Sequence, residues 1–114
     1  MRFTGHDPAT PIDVSATASG SSSAPSSPAV TTTVADAMIL RLGGFDDDDI
    51  TVDAPGLAGH TAITMDKSSQ GNGTSSSGAG YVMQPVAGDS GTSAFALTNT
   101  EEYRTVTIAI APAP

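Results

Sequence analysis

The stretch DAMILRLGGF, Asp36–Phe45, decides how this chain is read. Its side chains alternate, with Met38, Leu40 and Leu42 on one side and Ile39 and Arg41 on the other. A period of two is the mark of an extended strand, because successive side chains leave a pleated backbone on opposite faces. The side carrying Met38, Leu40 and Leu42 is the expected core face.

The same behaviour recurs outward in both directions. YRTVTIAIA (103–111) sets Val106, Ile108 and Ile110 against Thr105, Thr107 and Ala109, while HTAITMD (60–66) keeps Ile63 and Met65 in register. GYVMQPV (80–86) does so with Tyr81 and Met83, and SAFALTN (93–99) offers Phe95 and Leu97. AVTTTV (29–34) and ITVD (50–53) are β-branched, and Ile12 and Val14 suggest one further strand at 12–18. No segment carries helical apolar spacing with caps. Between the runs lie DAPGLAG, SSQGNGTSSSGAG and AGDSGTS, rich in the residues that supply turns and positive φ. Six to eight short strands punctuated in this way predict an all-β fold, an antiparallel β-sandwich of Ig-like or jelly-roll-like kind. Pro85 cannot donate a ladder hydrogen bond, which predicts an edge or a bulge at that strand. The predicted core is Met38, Leu40, Leu42, Ile63, Met65, Phe95, Leu97, Tyr103, Val106, Ile108 and Ile110. Tyr103 is expected to anchor the last strand as corner tyrosines do.

At 114 residues the chain is the size of one domain with one modest core. Residues 1–28 read as an arm with a Ser/Pro-rich segment, SSSAPSSP (21–28), and residues 29–114 as the sandwich. Leu, Ile, Val and Phe total 20 residues against 29 Ser and Thr, a poor supply of core, so the apolar residues must be used where they cluster. Acidic residues outnumber basic ones 12 to 4, for a net charge of −8. Duplex nucleic acid and anionic bilayers are bound through clustered Lys and Arg, so both are disfavoured as partners. There is no cysteine, hence no disulfide and no thiolate metal site. Met1 leads into RFTGHD without an apolar h-region, and no apolar run approaches the roughly 20 residues of a membrane helix.

SPAVTTTVADAMILRLGGFDDDDI (27–50) and AGYVMQPVAGDSGTSAFALTNTEEYRTVTIAIAPA (79–113) together resemble the C-terminal part of a β-sandwich domain of large, mostly uncharacterised bacterial and phage surface proteins. In that family TTT leads into a central strand, an Asp-rich turn follows, and EEY or EEW opens the final strand. The resemblance implies a fold and names no activity. It also implies strands ahead of RFTGHDP, where this sequence begins at Met1, and hence an uncovered apolar face and an open edge that another chain can fill. The other outcome is a smaller sandwich that closes by itself. An arm bearing Phe3, Ile12 and Val14 is the segment expected to reach a neighbour.

Four consecutive carboxylates, Asp46, Asp47, Asp48 and Asp49, with Asp53 nearby, pose the choice between a calcium site and a solvated turn. Against calcium, DDDDI lacks the alternating Asp/Asn and Gly of a loop-type site, and adjacent side chains of an extended strand diverge. GDSG (88–91) has the look of a serine-protease nucleophile turn, but no matching histidine motif accompanies it, so it reads as a turn and the protein as non-enzymatic. His6 and His60 have nothing to bring them together, and Glu101 and Glu102 are adjacent rather than opposed across a cleft. Asn72-Gly73-Thr74 is a glycosylation sequon.

Two functions follow as expectations. The first is a structural protein that assembles with itself into an extracellular filament or a virion or cell-surface layer, by strand complementation or edge pairing. The second is a module binding a glycan or a surface through its loops, with calcium at Asp46–Asp49. A binder should gather Asp46–Asp49, His60 and Tyr81 at one end, whereas an assembler should present apolar contacts and an edge.

Overall fold

The structure, a computed structural model, describes residues 1–69 and 73–114. The sequon asparagine, Asn72, lies outside the described residues. Seven strands form: β1 (Ile12–Ser22), β2 (Ser26–Ser27), β3 (Ala37–Asp46), β4 (Thr61–Lys67), β5 (Ser75–Gln84), β6 (Ser93–Ala94) and β7 (Glu101–Ile110), with no helix among the described residues. The fold is all-β and every ladder is antiparallel. One sheet holds five strands in the order β1-β7-β3-β5-β4, and β2 pairs with β6.

The second layer is built mainly from irregular extended segments. Around the short β2–β6 ladder, Phe95 N donates to Pro25 O at 2.9 Å and Leu97 N to Ser23 O at 2.9 Å. On the other flank Leu57 N donates to Ala94 O at 2.7 Å and Thr51 N to Ala96 O at 3.0 Å. Residues 93–97 thus run between 23–27 and 51–57, so backbone groups that no regular ladder uses are still satisfied.

DAMILRLGGF is the central strand, as its alternation predicts, but the buried side is the opposite one. Ala37, Ile39, Arg41 and Phe45 face the irregular layer and are buried, as are Thr105, Thr107 and Ala109 on β7. Met38, Leu42, Val106, Ile108 and Ile110 are half-buried on the outer face, and Ile63 is 40 % exposed beside a bulge in β4. Of the predicted core, Phe95 and Leu97 lie in the main cluster with Phe45, Ile50 and Leu57, and Met65 and Tyr103 pack against it. A second cluster joins Val30, Ile39 and Ala109, with Val14, Ala16 and Val82 against it.

Arg41 explains the reversal. It is 1 % exposed and sits on β3 between the inward residues Ile39 and Phe45, which belong to the two clusters. Its Nη1 donates to Ser27 O at 3.2 Å, Pro28 O at 3.2 Å and Thr107 Oγ1 at 3.3 Å, and its Nη2 donates to Gly91 O at 2.8 Å. Nε donates to His60 Nε2 at 3.0 Å, which makes that nitrogen an acceptor and leaves Nδ1 to donate to Ala58 O at 3.0 Å. Burial pushes the guanidinium below its ordinary pKa, and it stays charged because arginine does not deprotonate in proteins. One side chain therefore binds the 27–28, 58–60 and 90–91 segments onto the sheet.

Other differences have local causes. The 29–34 and 50–53 runs make single bridges, Thr31 with Asp89 and Ile50 with Leu97, because they belong to the irregular layer. Regular pairing in the 93–99 run stops at Ala94. β5 begins within SSSGAG, a segment that reads as loop, because small residues there make room for what lies above. Gly43 and Gly78 are cross-strand partners, and a Cβ on either would come within 3.0 Å of the Phe95 ring. β5 is a central strand that ends at Gln84, so Pro85 stops the ladder rather than marking an edge. β1 runs to Ser22 and pairs with β7 throughout, so the boundary drawn at residue 28 dissolves and Ile12 and Val14 belong to this chain's own sheet.

Replacing Arg41 with Met should cost about 3–5 kcal/mol in chemical denaturation, because the buried carbonyls it serves lose their donor. Arg41→Lys should fall between, since one ammonium cannot span the same acceptors.

Candidate interaction surface

The side of the sheet away from Arg41 is also apolar. Register places Ile110, Met38 and Met83 in one row across β7, β3 and β5, then Ile108, Leu40 and Tyr81, then Val106, Leu42 and Ala79. Ile12 extends the first row onto β1, while Ser15 and Thr17 continue the others. These nine side chains include no charge, and Arg104 on β7 is the next outward residue beyond them. Leu40 is 4 % exposed because its row and the N-terminal segment enclose it, whereas Met83 is 51 % and Ile12 is 56 % exposed. Three strands about 4.8 Å apart and five residues at about 3.3 Å give these rows roughly 240 Å².

The N-terminal segment crosses one end of this face. Asp7 N donates to Ala111 O at 3.0 Å and Ala113 N to Gly5 O at 2.8 Å, and His6 bridges to Pro112. The expected arm is thus held by its own C-terminal tail. Beside it, Phe3, His6, Pro11, Ile12, Leu40, Ile108 and Ile110 line a recess of about 300 Å³. At the other end Gly44 carries no side chain, and Thr17, Ser19, Leu42, Arg104 and Val106 are among the residues lining a second recess of about 420 Å³.

The acidic turn lies elsewhere. Asp47 adopts φ 53, a left-handed conformation Asp tolerates, and its N accepts local support by donating to Asp46 Oδ1 at 3.1 Å. Oxygens of Asp47, Asp49 and Glu101 come within 4.8 Å of one another, while Asp46, Asp48 and Asp53 stay outside the group. Thr98 Oγ1 donates to Asp49 Oδ1 at 2.6 Å, Asn99 Nδ2 to the same oxygen at 3.2 Å, and Thr74 Oγ1 to Asp47 Oδ1 at 3.0 Å. Giving one oxygen each, three carboxylates supply about half the oxygen set calcium takes, and two of them already accept hydrogen bonds. Glu101 escapes a reading of the sequence alone, since some fifty residues separate it from the turn; its only signal is the shared inward parity with Tyr103 on β7.

The hydrogen bond from Thr98 leads in holding Asp49 below the usual carboxylate range. Glu101 is pushed up, first by desolvation and then by its bond to Asp49 and the charges of Asp47, Asp49 and Asp46. His6 and His60 sit on opposite sides of the sheet, the first beside the outer recess and the second on Arg41. In GDSG, Ser90 Oγ accepts from Val30 N at 3.0 Å and donates to Gly91 O at 3.0 Å, and Asp89 Oδ1 accepts from Gly91 N at 2.8 Å. Both side chains close the turn.

A carboxyl whose pKa is raised in the folded state favours folding at acid pH and opposes it once pH rises past the unfolded value of about 4.3. Glu101→Gln should therefore raise the melting temperature at about pH 7, with the gain vanishing near pH 3, as followed by circular dichroism. No protein-family model, curated protein or solved structure matches this chain.

Proposed function

We propose that this chain is a non-enzymatic structural module that assembles with copies of itself, the outer apolar face of one packing on that of another. The observation that carries this reading is a five-stranded sheet apolar on both sides and covered by its own chain on one. Sheets pack face to face about 10 Å apart, so two outer faces form the middle of a sandwich that neither chain completes alone. The rows of roughly 240 Å² form the apolar centre of the face, about a third of the roughly 800 Å² that each partner brings to a stable interface. Its neutral centre suits a partner of the same sign, which matters for a chain of net charge −8.

The alternative of a loop-mediated binder has less support. Asp46–Asp49 close a turn, His60 is engaged by Arg41 and Tyr81 stands on the outer face, so the residues such a site would gather are dispersed. An assembling module of this kind suits an extracellular filament or a virion or cell-surface layer, the setting that the resemblance to bacterial and phage surface proteins suggests.

Val106→Glu and Met83→Glu each place a charge on the outer face without touching the inner clusters. Light scattering after size-exclusion chromatography should show the unmodified protein at a multiple of 11.3 kDa and both variants at a smaller mass than the unmodified protein, folded by circular dichroism. An unmodified protein that elutes at 11.3 kDa at every concentration would sink the reading.

A further inference from the structure

The two edges of the five-stranded sheet differ. β4 is seven residues long, is broken by a bulge between Ala62 and Thr64, and ends in Asp66 and Lys67. Bulges, short length and charges are how proteins close an edge to other strands. β1 has eleven residues, with its one irregularity and its one charge, Asp13, at the very start. From Val14 to Ser22 its register with β7 is unbroken and no side chain is charged. No backbone hydrogen bond outside the β1–β7 ladder reaches residues 14–22 among the described residues. Half of the backbone groups along some 30 Å of strand face away from the sheet, ready to pair.

We infer that β1 is a docking edge for a second copy of this chain, β1 antiparallel to β1, joining two five-stranded sheets into one of ten. The proposal rests on the self-assembly reading only in taking a copy of the chain as the partner; it uses a different surface. Charge selects that partner. Two chains of −8 repel unless they meet where neither is charged, and Val14–Ser22 is such a stretch. A basic peptide, by contrast, would be better served by an acidic edge. Geometry agrees, because a two-fold axis across paired edges keeps each side of the sheet on its own side. Ile12, Thr17 and the outer rows then continue into those of the second copy, and the irregular layers remain together on the opposite side.

A two-fold at Ala18 uses the neutral residues in full. Thr17 then faces Ser19, Ser15 faces Ser21 and Val14 faces Ser22. Asp13 falls opposite Ser23, so no like charges meet. An edge dyad and a face dyad are separate contacts on one molecule, and two such dyads that do not intersect generate an open chain of subunits.

The cysteine-free sequence makes the test direct. In Ala18→Cys, the two thiols lie across the axis on residues about 4.5–5.5 Å apart at Cα, within disulfide reach. In Ser21→Cys they are separated by several residue steps, and in Thr64→Cys they sit on the other edge. Mild oxidation at equal protein concentration should convert most of the Ala18→Cys chain to a covalent dimer on a non-reducing gel and leave the other two monomeric. Similar cross-linking at all three positions, or none at Ala18→Cys while circular dichroism shows it folded, would overturn the edge proposal. Combining Ala18→Cys with Val106→Glu separates the two surfaces: a retained cross-link with reduced assembly mass supports the edge contact. A lost cross-link beside an unmodified protein that still assembles removes the edge and leaves the face.

Discussion

The Arg41 guanidinium is the constraint on which the rest of this structure depends. A chain with so few large apolar residues cannot fill two layers with hydrocarbon, and the layer opposite the sheet has, among the described residues, only two two-residue strands. What holds that layer down is a buried fork of donors reaching Ser27, Pro28, Thr107 and Gly91 at once, with His60 taking the remaining donor. Desolvating a guanidinium is costly, and uncharged acceptors return less than a carboxylate would. The compensation is geometric. Several loops receive one common anchor, and the two apolar clusters on either side of it stay in register with the sheet.

Arg41 also determines which face is left over. With Arg41 seated between Ile39 and Phe45 on the inner face and threonines and alanine beside it on β7, most of the larger aliphatic side chains of β3 and β7 are turned outward. Met38, Leu40, Leu42, Val106, Ile108 and Ile110 then form the rows that the N-terminal segment only partly shields. Asp46–Asp49 and Glu101 lie at the β3–β7 end, whereas Asp36 borders the first row beside Met38 and Met83 and Asp13 follows Ile12 at the start of β1. A protein that must stay dispersed gains from charge on such a face. One that must meet its own copies gains from leaving it neutral.

Strand periodicity at 36–45 and 103–111 was legible, as was the turn at the four aspartates. The facing of the strands was not. Alternation says that two sides differ, yet both sides of β3 are apolar, and an arginine among them ordinarily marks the solvent side. Only the acceptors of the 27–28 and 90–91 segments reverse that expectation, and they come from remote parts of the chain. A strand at 12–18 was legible from Ile12 and Val14, but the rest of β1 and the start of β5 were hidden for a related reason: Ser, Ala and Gly have weak strand preference, and pairing with β7 and β3 decides their state. The acid group was half legible, since Asp47 and Asp49 belong to the turn while Glu101 arrives through the sheet.

The central claim is that the outer rows of one subunit rest on those of another. Isotope-filtered nuclear Overhauser measurements on a mixture of labelled and unlabelled protein test it most directly, because signal arises only between copies. The account predicts intermolecular contacts from the methyl groups of Leu42, Val106 and Ile108, and none from those of Ile39 or Ile50 inside the clusters. Outer methyls without any intermolecular signal, at concentrations where the protein is fully folded, would contradict it.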